Sequence, residues 1–478
     1  MRCSRLSVSI RLGESRCCSP LPQLHPGIVQ ARALTQLGHE VYVIAGAPRG
    51  HAGQAAAAGF AASKTGAASG QAALAQRIMH VELPVWGRLD ADCAWREFAA
   101  GVGAPEVAAA AAAFSPAAVL GVDWHSVGAY EQLRAALPGP PPFIYLNYRV
   151  YHRTANAEEL AVVEAQEARA LRLSSCSLVL SRSDAQYLRR HFPGATSEGE
   201  GAAPLHVLLP ALRSDMAALA PPAEGTQQQE ASAQPVQAQA GAHDVAAATA
   251  AGAASADGQQ LGTRGVGSAP PGAHSRRYLT CCVRLSAEKE PHRFVDLVLE
   301  LQRRGALERL GVVPLMAGSG WQTPYGREQR ARVEAGAPQC MIHDQFLGPS
   351  ELAAIYAATL LNVHPPTYDA YGMTIVEAAS QGAPSLVQGG GHVGATDLLR
   401  AEAGEVLVCD MEQHVEQLAN LVEALLAERA RLAAVGRAAQ GRARSWCERD
   451  NAEALVGHVQ AALRHLGMQD GQADSTAA

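Results

Sequence analysis

The chain contains almost no lysine. Of its 39 basic residues only Lys64 and Lys289 are lysines, and the rest are arginines. Alongside the abundance of alanine and glycine, this skew marks GC-rich coding rather than a physical demand, and it makes each surviving lysine conspicuous. No block of Lys or Arg runs long enough to track phosphates, and the formal net charge is −6, so nucleic acid is not an expected partner. The ten cysteines include no C-x-x-C pair; Cys17–Cys18 and Cys281–Cys282 are adjacent, which suits neither a zinc site nor an ordinary disulfide. A reducing compartment follows. Long hydrophobic runs are missing too. The nearest approach to a membrane span, residues 107–122, is mostly alanine and is broken by Pro116. The N-terminus has no apolar core of a secretory signal, although Arg2, Arg5, Arg11 and Arg16 among serines resemble an organelle transit peptide. The expected location is the cytoplasm, with organelle import as the alternative. Residues 221–271 have almost no large apolar side chains and are rich in Ala, Gln, Gly and Ser. Such a segment cannot offset its ordering entropy, so disorder is expected there. The Ala/Gly-rich residues 50–75 read as a flexible loop.

What is present suits two domains. The 478 residues are 48% hydrophobic and 18% charged, and the low-complexity segment leaves a part of roughly 200 residues on each side, one domain apiece. Both parts alternate strands with helices. In the first, a helix over residues 28–37 stops at Gly38 and is followed by the β-branched run Val41-Tyr42-Val43-Ile44. Strands follow at 117–122, 143–146 and 177–180, with an acidic helix over 157–173. In the second part the pattern predicts strands at 278–283, 312–316, 360–363 and 385–387, and another ending in Phe346-Leu347. Helices are predicted at 294–303, from Glu351 and from about Thr374. Short strands alternating with helices imply an α/β fold with parallel sheets covered on both faces. Ligands of such sheets bind at the carboxyl ends of the strands, and two such domains face one another across a cleft. The arginines over 429–449 alternate with alanine and acids on a predicted helix, a solvated face or a helix returning to the first domain.

The most informative stretch is His364-Pro-Pro-Thr-Tyr-Asp369-Ala-Tyr-Gly372-Met373-Thr374-Ile-Val-Glu377-Ala-Ala-Ser-Gln-Gly382-Ala-Pro384. A strand ends, a loop carries Asp369 and Gly372, and a helix begins. Gly372 lets the backbone approach a ligand closely. The amides near Met373 and Thr374 form a helix N-terminus suited to phosphate. Glu377, one turn in, could accept hydrogen bonds from ligand hydroxyls, although the helix dipole favours an acid there in any case. Arg284 and Lys289 follow a strand end, where two cations could clamp a diphosphate or simply sit solvated.

This region resembles the E-x7-E segment of retaining glycosyltransferases of family 4. Here it reads Asp369-x7-Glu377, then Glu-Ala-x3-Gly-x-Pro. Arg284-Leu-Ser-Ala-Glu-Lys289 resembles the family's Arg-x4-Lys element. Phe346-Leu-Gly348, Gln388-Gly-Gly-Gly391 through Asp397, and Ala403-Gly-Glu-Val-Leu-Val408 follow its order. The resemblance spans residues 278–411 and implies the GT-B fold, two Rossmann-like domains facing a cleft; the low-complexity segment is then a disordered insert between them. The implied divisions are 1–216 for the acceptor side, 217–276 for the insert, 277–440 for the nucleotide-sugar domain and 441–478 for a return helix and tail. It further implies transfer of a sugar from a UDP- or GDP-sugar to an unidentified acceptor hydroxyl, with retention and with no metal or other cofactor. Arg284 and Lys289 would hold the diphosphate, Gly372, Met373 and Thr374 would lie beside sugar and phosphates, Glu377 would take the ribose hydroxyls, and Asp369 would face the donor sugar. Asp369 stands where glutamate is usual, shortening the reach of the carboxylate by roughly 1 Å.

In the first part, Pro26-Gly27-Ile28 resembles the family's opening glycine loop with one glycine where two are usual. Asp123-Trp124-His125 resembles the Asp-Trp-His of starch-synthase-like relatives, whose histidine approaches the donor sugar. Arg149, Tyr151 and Arg153 could shape an acceptor site or form a polar turn. In Ser181-Arg-Ser-Asp184, Ser183 or Asp184 is expected to cap the next helix. Residues 1–25 are open between a first strand at 6–10, a transit peptide and a faulty start. Two other readings of the whole remain: a nucleotide-sugar epimerase, and a non-catalytic nucleotide-sugar-binding or scaffold protein. Oligomeric state is not legible.

Overall fold

The computed structural model describes residues 5–9, 26–48, 77–83, 94–196, 203–219 and 276–467. The expected loop at 50–75 and the expected disorder at 221–271 lie outside these residues.

Short, continuously buried apolar runs build the first sheet. Its strands are β1 (Arg5–Ser9), β2 (Glu40–Pro48), β3 (Arg77–Leu83), β4 (Ala118–Val122), β5 (Phe143–Asn147), β6 (Cys176–Val179) and β7 (Leu205–Val207). They are all parallel in the order β3-β2-β1-β4-β5-β6-β7. Successive side chains in a strand point to opposite faces, so β2, β4, β5 and β6 each feed two cores. Tyr42, Ile44, Val119, Phe143 and Tyr145 join one, under the helices Ala94–Val102, Pro105–Phe114 and Val127–Ala136. Val41, Val43, Leu120, Ile144 and Leu178 join the other, together with Ala31 and Leu34 of the helix Pro26–Gln36 and with Ala452, Leu455 and Val459 of the helix Glu448–His465. The first sheet is therefore completed by a helix from the far end of the chain.

The second sheet is β8 (Tyr278–Cys282), β9 (Val313–Ala317), β10 (Met341–His343), β11 (Thr359–His364), β12 (Ser385–Gln388) and β13 (Leu407–Cys409). These strands are again all parallel, in the order β10-β9-β8-β11-β12-β13. The vicinal thiols sit on opposite faces of β8, Cys281 in one core and Cys282 in the other, so strand geometry holds them apart. The Arg5–Ser9 strand lies mid-sheet between β2 and β4, in the position of the first strand expected near residues 6–10.

Three local expectations are corrected. Phe346 and Leu347 do not end a strand: β10 stops at His343 and Phe346 is exposed. The chain there is instead turning into the helix Pro349–Ala357, whose Glu351 carboxylate accepts from the Gly348 amide at 2.8 Å. The helix expected over 429–449 is two, Arg429–Arg444 and Glu448–His465. Between them the Trp446 indole donates to the Leu209 carbonyl at 2.9 Å. The cap of the helix Arg182–His191 is Ser181, whose Oγ accepts from the Asp184 amide at 3.1 Å.

Leu455 is fully buried against the first sheet. Leu455→Ala should cost ~2–5 kcal/mol through lost burial and a cavity, read as a lower denaturant midpoint; an unchanged midpoint would mean that the last helix is not part of that core.

Candidate functional site

The carboxyl ends of β5, β6, β8 and β11 point into one cavity of about 380 Å³. The first sheet supplies Tyr148, Arg149, Thr154 and Leu180; the second supplies Arg284, Glu288, Lys289, His364, Tyr368 and the segment Asp369–Thr374.

The loop after β11 is fixed before any ligand arrives. The Asp369 amide donates to the His392 carbonyl at 3.1 Å, the Gly394 amide to the Asp369 carbonyl at 3.0 Å, and the Ala395 amide to the Tyr371 carbonyl at 2.6 Å. Gly394 has to be glycine, because a Cβ there would lie 2.2 Å from the Ala370 carbonyl oxygen. Gly372 has φ of 86° and precedes the helix Met373–Ser380, a left-handed conformation that glycine adopts without strain. Its glycine also spares Ile375, whose Cδ1 a Cβ would meet at 2.8 Å.

Asp369 is the electrostatic centre. Its Oδ2 accepts from Lys289 Nζ at 2.7 Å and bonds His364 Nε2 at 3.1 Å, while Oδ1 accepts from the Tyr371 amide at 3.3 Å. Burial by itself would raise this carboxyl, but Lys289 and His364 outweigh it and hold it well below the usual range. The bond to the amide two residues on is one a short aspartate makes within its own loop. Arg284 is bonded to Glu288, and the other oxygen of Glu288 accepts from Arg149 Nη2 at 2.9 Å. Burial would raise Glu288, yet Arg149 and Arg284 hold it below its ordinary value. Three cations and two carboxylates thus face one another around the cavity, bridging the two domains.

Glu377 and His125 do not line this cavity. Glu377 is buried in its helix with Arg213 Nη1 at 3.7 Å. Burial pushes its carboxyl up to about 7, with Arg213 opposing and Asp215 adding. His125 is buried one layer back. It stacks on Trp124 with centroids 3.8 Å apart and meets the edge of Tyr151 at 5.2 Å. Tyr151 in turn lies under the Arg149 guanidinium, 5.0 Å away. Asp123 has φ of 53°, strained for a non-glycine residue, and its Oδ1 accepts from the Tyr148 amide at 2.8 Å. Arg153 pairs with buried Asp184 and lies 3.8 Å over the Tyr368 ring, which locks it between the domains and out of the cavity wall.

Sequence reasoning gave no role to Glu288, His364, Tyr368 or Arg213. Glu288 lies inside the Arg-x4-Lys element and His364 ends a recognised strand, so both were adjacent to a signal. Arg213 carried none.

No family profile and no curated protein sequence matches the chain. Solved structures do. A sucrose-phosphate synthase from Thermosynechococcus elongatus superposes with a TM-score of 0.65 at 14% identity, covering 97% of this chain and 100% of that one. An α,α-trehalose 6-phosphate synthase from Burkholderia multivorans gives 0.61 at 12% identity, over 97% and 100%. Anabaena HepE in complex with UDP and glucose gives 0.59 at 13%, over 96% and 100%. The chain has the GT-B fold. In GT-B terms the cavity lies in the cleft between the two sheets. No helix among the described residues is long and apolar enough to cross a membrane.

Glu377 supplies a pH test of the ligand-free protein. Its folded value of about 7 lies above the ordinary 4.5. Its contribution to stability is therefore fully present below pH 4.5 and is lost as pH rises through 7. Glu377→Gln removes that loss, so the stability of the variant relative to wild type should be higher at pH 8 than at pH 5. An equal difference at both pH values would refute the raised carboxyl.

Proposed function

We propose that this protein is a glycosyltransferase that moves a sugar from a UDP- or GDP-sugar to an acceptor hydroxyl, with retention of configuration and without a metal cofactor. The observation that carries the reading is the inter-domain cavity, where Arg284, Lys289 and Arg149 and the amides at Gly372–Thr374 converge beside two ionised carboxylates, Asp369 and Glu288. A diphosphate needs this combination of cations and a helix N-terminus, and the volume is that of a small-ligand site.

In this reading the diphosphate competes with Glu288 and Asp369 for Arg284 and Lys289. Asp369, released from Lys289, faces the donor sugar and stays tied to His364 and the Tyr371 amide. Glu377, outside the cavity wall in the ligand-free protein, is the residue proposed to take the ribose hydroxyls from behind the helix N-terminus. The acceptor enters from the first domain, along Tyr148 and Arg149. As the glycosidic bond breaks, its electron pair goes to the leaving phosphate oxygen, and the cations and helix amides stabilise that charge. The same leaving oxygen takes the proton of the acceptor hydroxyl as the new bond forms on the same face of the sugar. His125 acts as a positioning residue, holding the Tyr151 ring on which Arg149 rests.

The Lys289–Asp369 pair favours a second reading, nucleotide-sugar binding without transfer, because it ties up a phosphate-binding cation. A panel of UDP- and GDP-sugars, assayed for equilibrium binding and for slow donor hydrolysis, decides between them. One donor should saturate and be hydrolysed. Lys289→Ala should weaken its binding by ~10- to 100-fold through a lost charged contact, with part recovered in Lys289→Arg. Binding without any hydrolysis or transfer selects the second reading, and undiminished binding by Lys289→Ala overturns the diphosphate site.

Asp369→Glu tests the short carboxylate. The longer side chain gives up the bond to the Tyr371 amide, so turnover should fall more than donor affinity. Turnover equal to or above wild type would show that the aspartate is not matched to this loop.

A further inference from the structure

Away from the cleft, the fold brings together three side chains that the sequence scatters. Cys176 opens β6 and His206 is the middle residue of β7, paired with Leu178. Cys176 and Leu178 are two residues apart, so both project from the same face of the sheet, and His206 beside Leu178 projects there too. That face is covered by the helix Glu448–His465. On this helix His458 lies three residues after buried Leu455 and four before buried Ala462, at the edge of the apolar stripe. The Cys176 thiol and one nitrogen from each histidine all lie within 4.8 Å of one another. The two imidazoles stack with centroids 4.6 Å apart.

We propose that Cys176, His206 and His458 bind a zinc ion that fastens the last helix to the first sheet. Packing alone accounts for a buried thiol, but it gives no reason to aim two imidazoles at it from a strand and a helix. A tetrahedral zinc with one sulfur and two nitrogen ligands holds its donors about 3.3–3.6 Å apart. The observed spacing needs a contraction of little more than ~1 Å, within the reach of rotamer adjustment. The thiol proton leaves to solvent as the zinc–sulfur bond forms. His206 is exposed, so an ion can reach the site from solvent.

The location separates this site from sugar chemistry. Cys176 is at the amino end of its strand, whereas the cavity lies at the carboxyl ends. The three ligands come from two adjacent strands and from a helix more than 200 positions later in the chain. An ion here cross-links that helix to the sheet it completes, and its expected effect is on stability.

The test uses the full chain, stripped with a chelator and titrated with Zn²⁺, and with Co²⁺ as a spectroscopic probe. One saturable site is expected, with tetrahedral ligand-field absorption and a thiolate-to-cobalt charge-transfer band. Zn²⁺ should raise the thermal midpoint. His206→Ala, at an exposed position and expected to fold as wild type, should weaken binding at least ~10-fold and abolish the Zn²⁺-dependent rise. Cys176→Ser should remove the charge-transfer band. A wild-type protein with no saturable site and no thiolate band, or a His206→Ala variant that binds as wild type, overturns the proposal.

Discussion

A parallel sheet has to be covered on both faces, and the first sheet cannot meet that demand with its own helices. One of its faces is shared between the helix Pro26–Gln36 and the helix Glu448–His465. The chain must therefore cross back after the second sheet is finished, and that return sets how the domains meet. The crossing is tied at several points. Arg32 pairs with Glu448 at 2.8 Å, Gln30 Nε2 donates to Asn451 at 3.1 Å, and Trp446 sits between the two cores. With both sheets held this way, their carboxyl ends face one cavity, where loops from either domain meet. The cleft is thus a by-product of completing a core.

The charges around that cavity follow from their neighbours more than from their own chemistry. Asp369 is buried yet ionised because Lys289 and His364 outweigh its desolvation. Among the described residues Glu377 is paired with Arg213 alone, at 3.7 Å, and that arginine is also held by Asp215 at 2.6 and 3.1 Å, so burial wins and the carboxyl rises. These acids lie eight residues apart, on one loop and the helix it starts. The cations are likewise engaged, Lys289 by Asp369, and Arg284 and Arg149 by Glu288. An anionic ligand would enter by exchange, replacing one set of ion pairs with another. Removing a single partner is the costly change, since it leaves a desolvated charge alone.

Much of the fold was legible where local pattern and burial agree. The β-branched run at 41–44 and the apolar strands at 118–122, 359–364 and 385–388 lie deep in their sheets and announce themselves by composition. Edge strands did not: Leu205–Val207 and Leu407–Cys409 carry too few buried positions to stand out, and the edge strand Arg77–Leu83 was not expected either. The alanine-rich helix Pro105–Phe114 was read mainly as a failed membrane span. Alanine buries little area, and only Val107, Ala111 and Phe114 mark its packed face. Phe346 was misread because an apolar pair after a strand looks like its continuation, while the Pro349 helix start two residues on was given too little weight.

The sequence by itself determined the alternation of strands and helices and the glycine-led helix start at Gly372, because each depends on contacts within a few positions; Arg284, Lys289 and Asp369 were singled out by their motifs, and the fold brought them to one cavity. It could not determine that Lys289 would spend its charge on Asp369, that Glu288 would bridge to Arg149 of the other domain, or that His125 would lie a layer behind the cavity wall. Nor could it bring Cys176, His206 and His458 together. Those outcomes depend on which strand lies beside which and on where the last helix returns. Coulomb and hydrogen-bond energies act over a few ångströms of space, and only the tertiary structure converts distance along the chain into that distance.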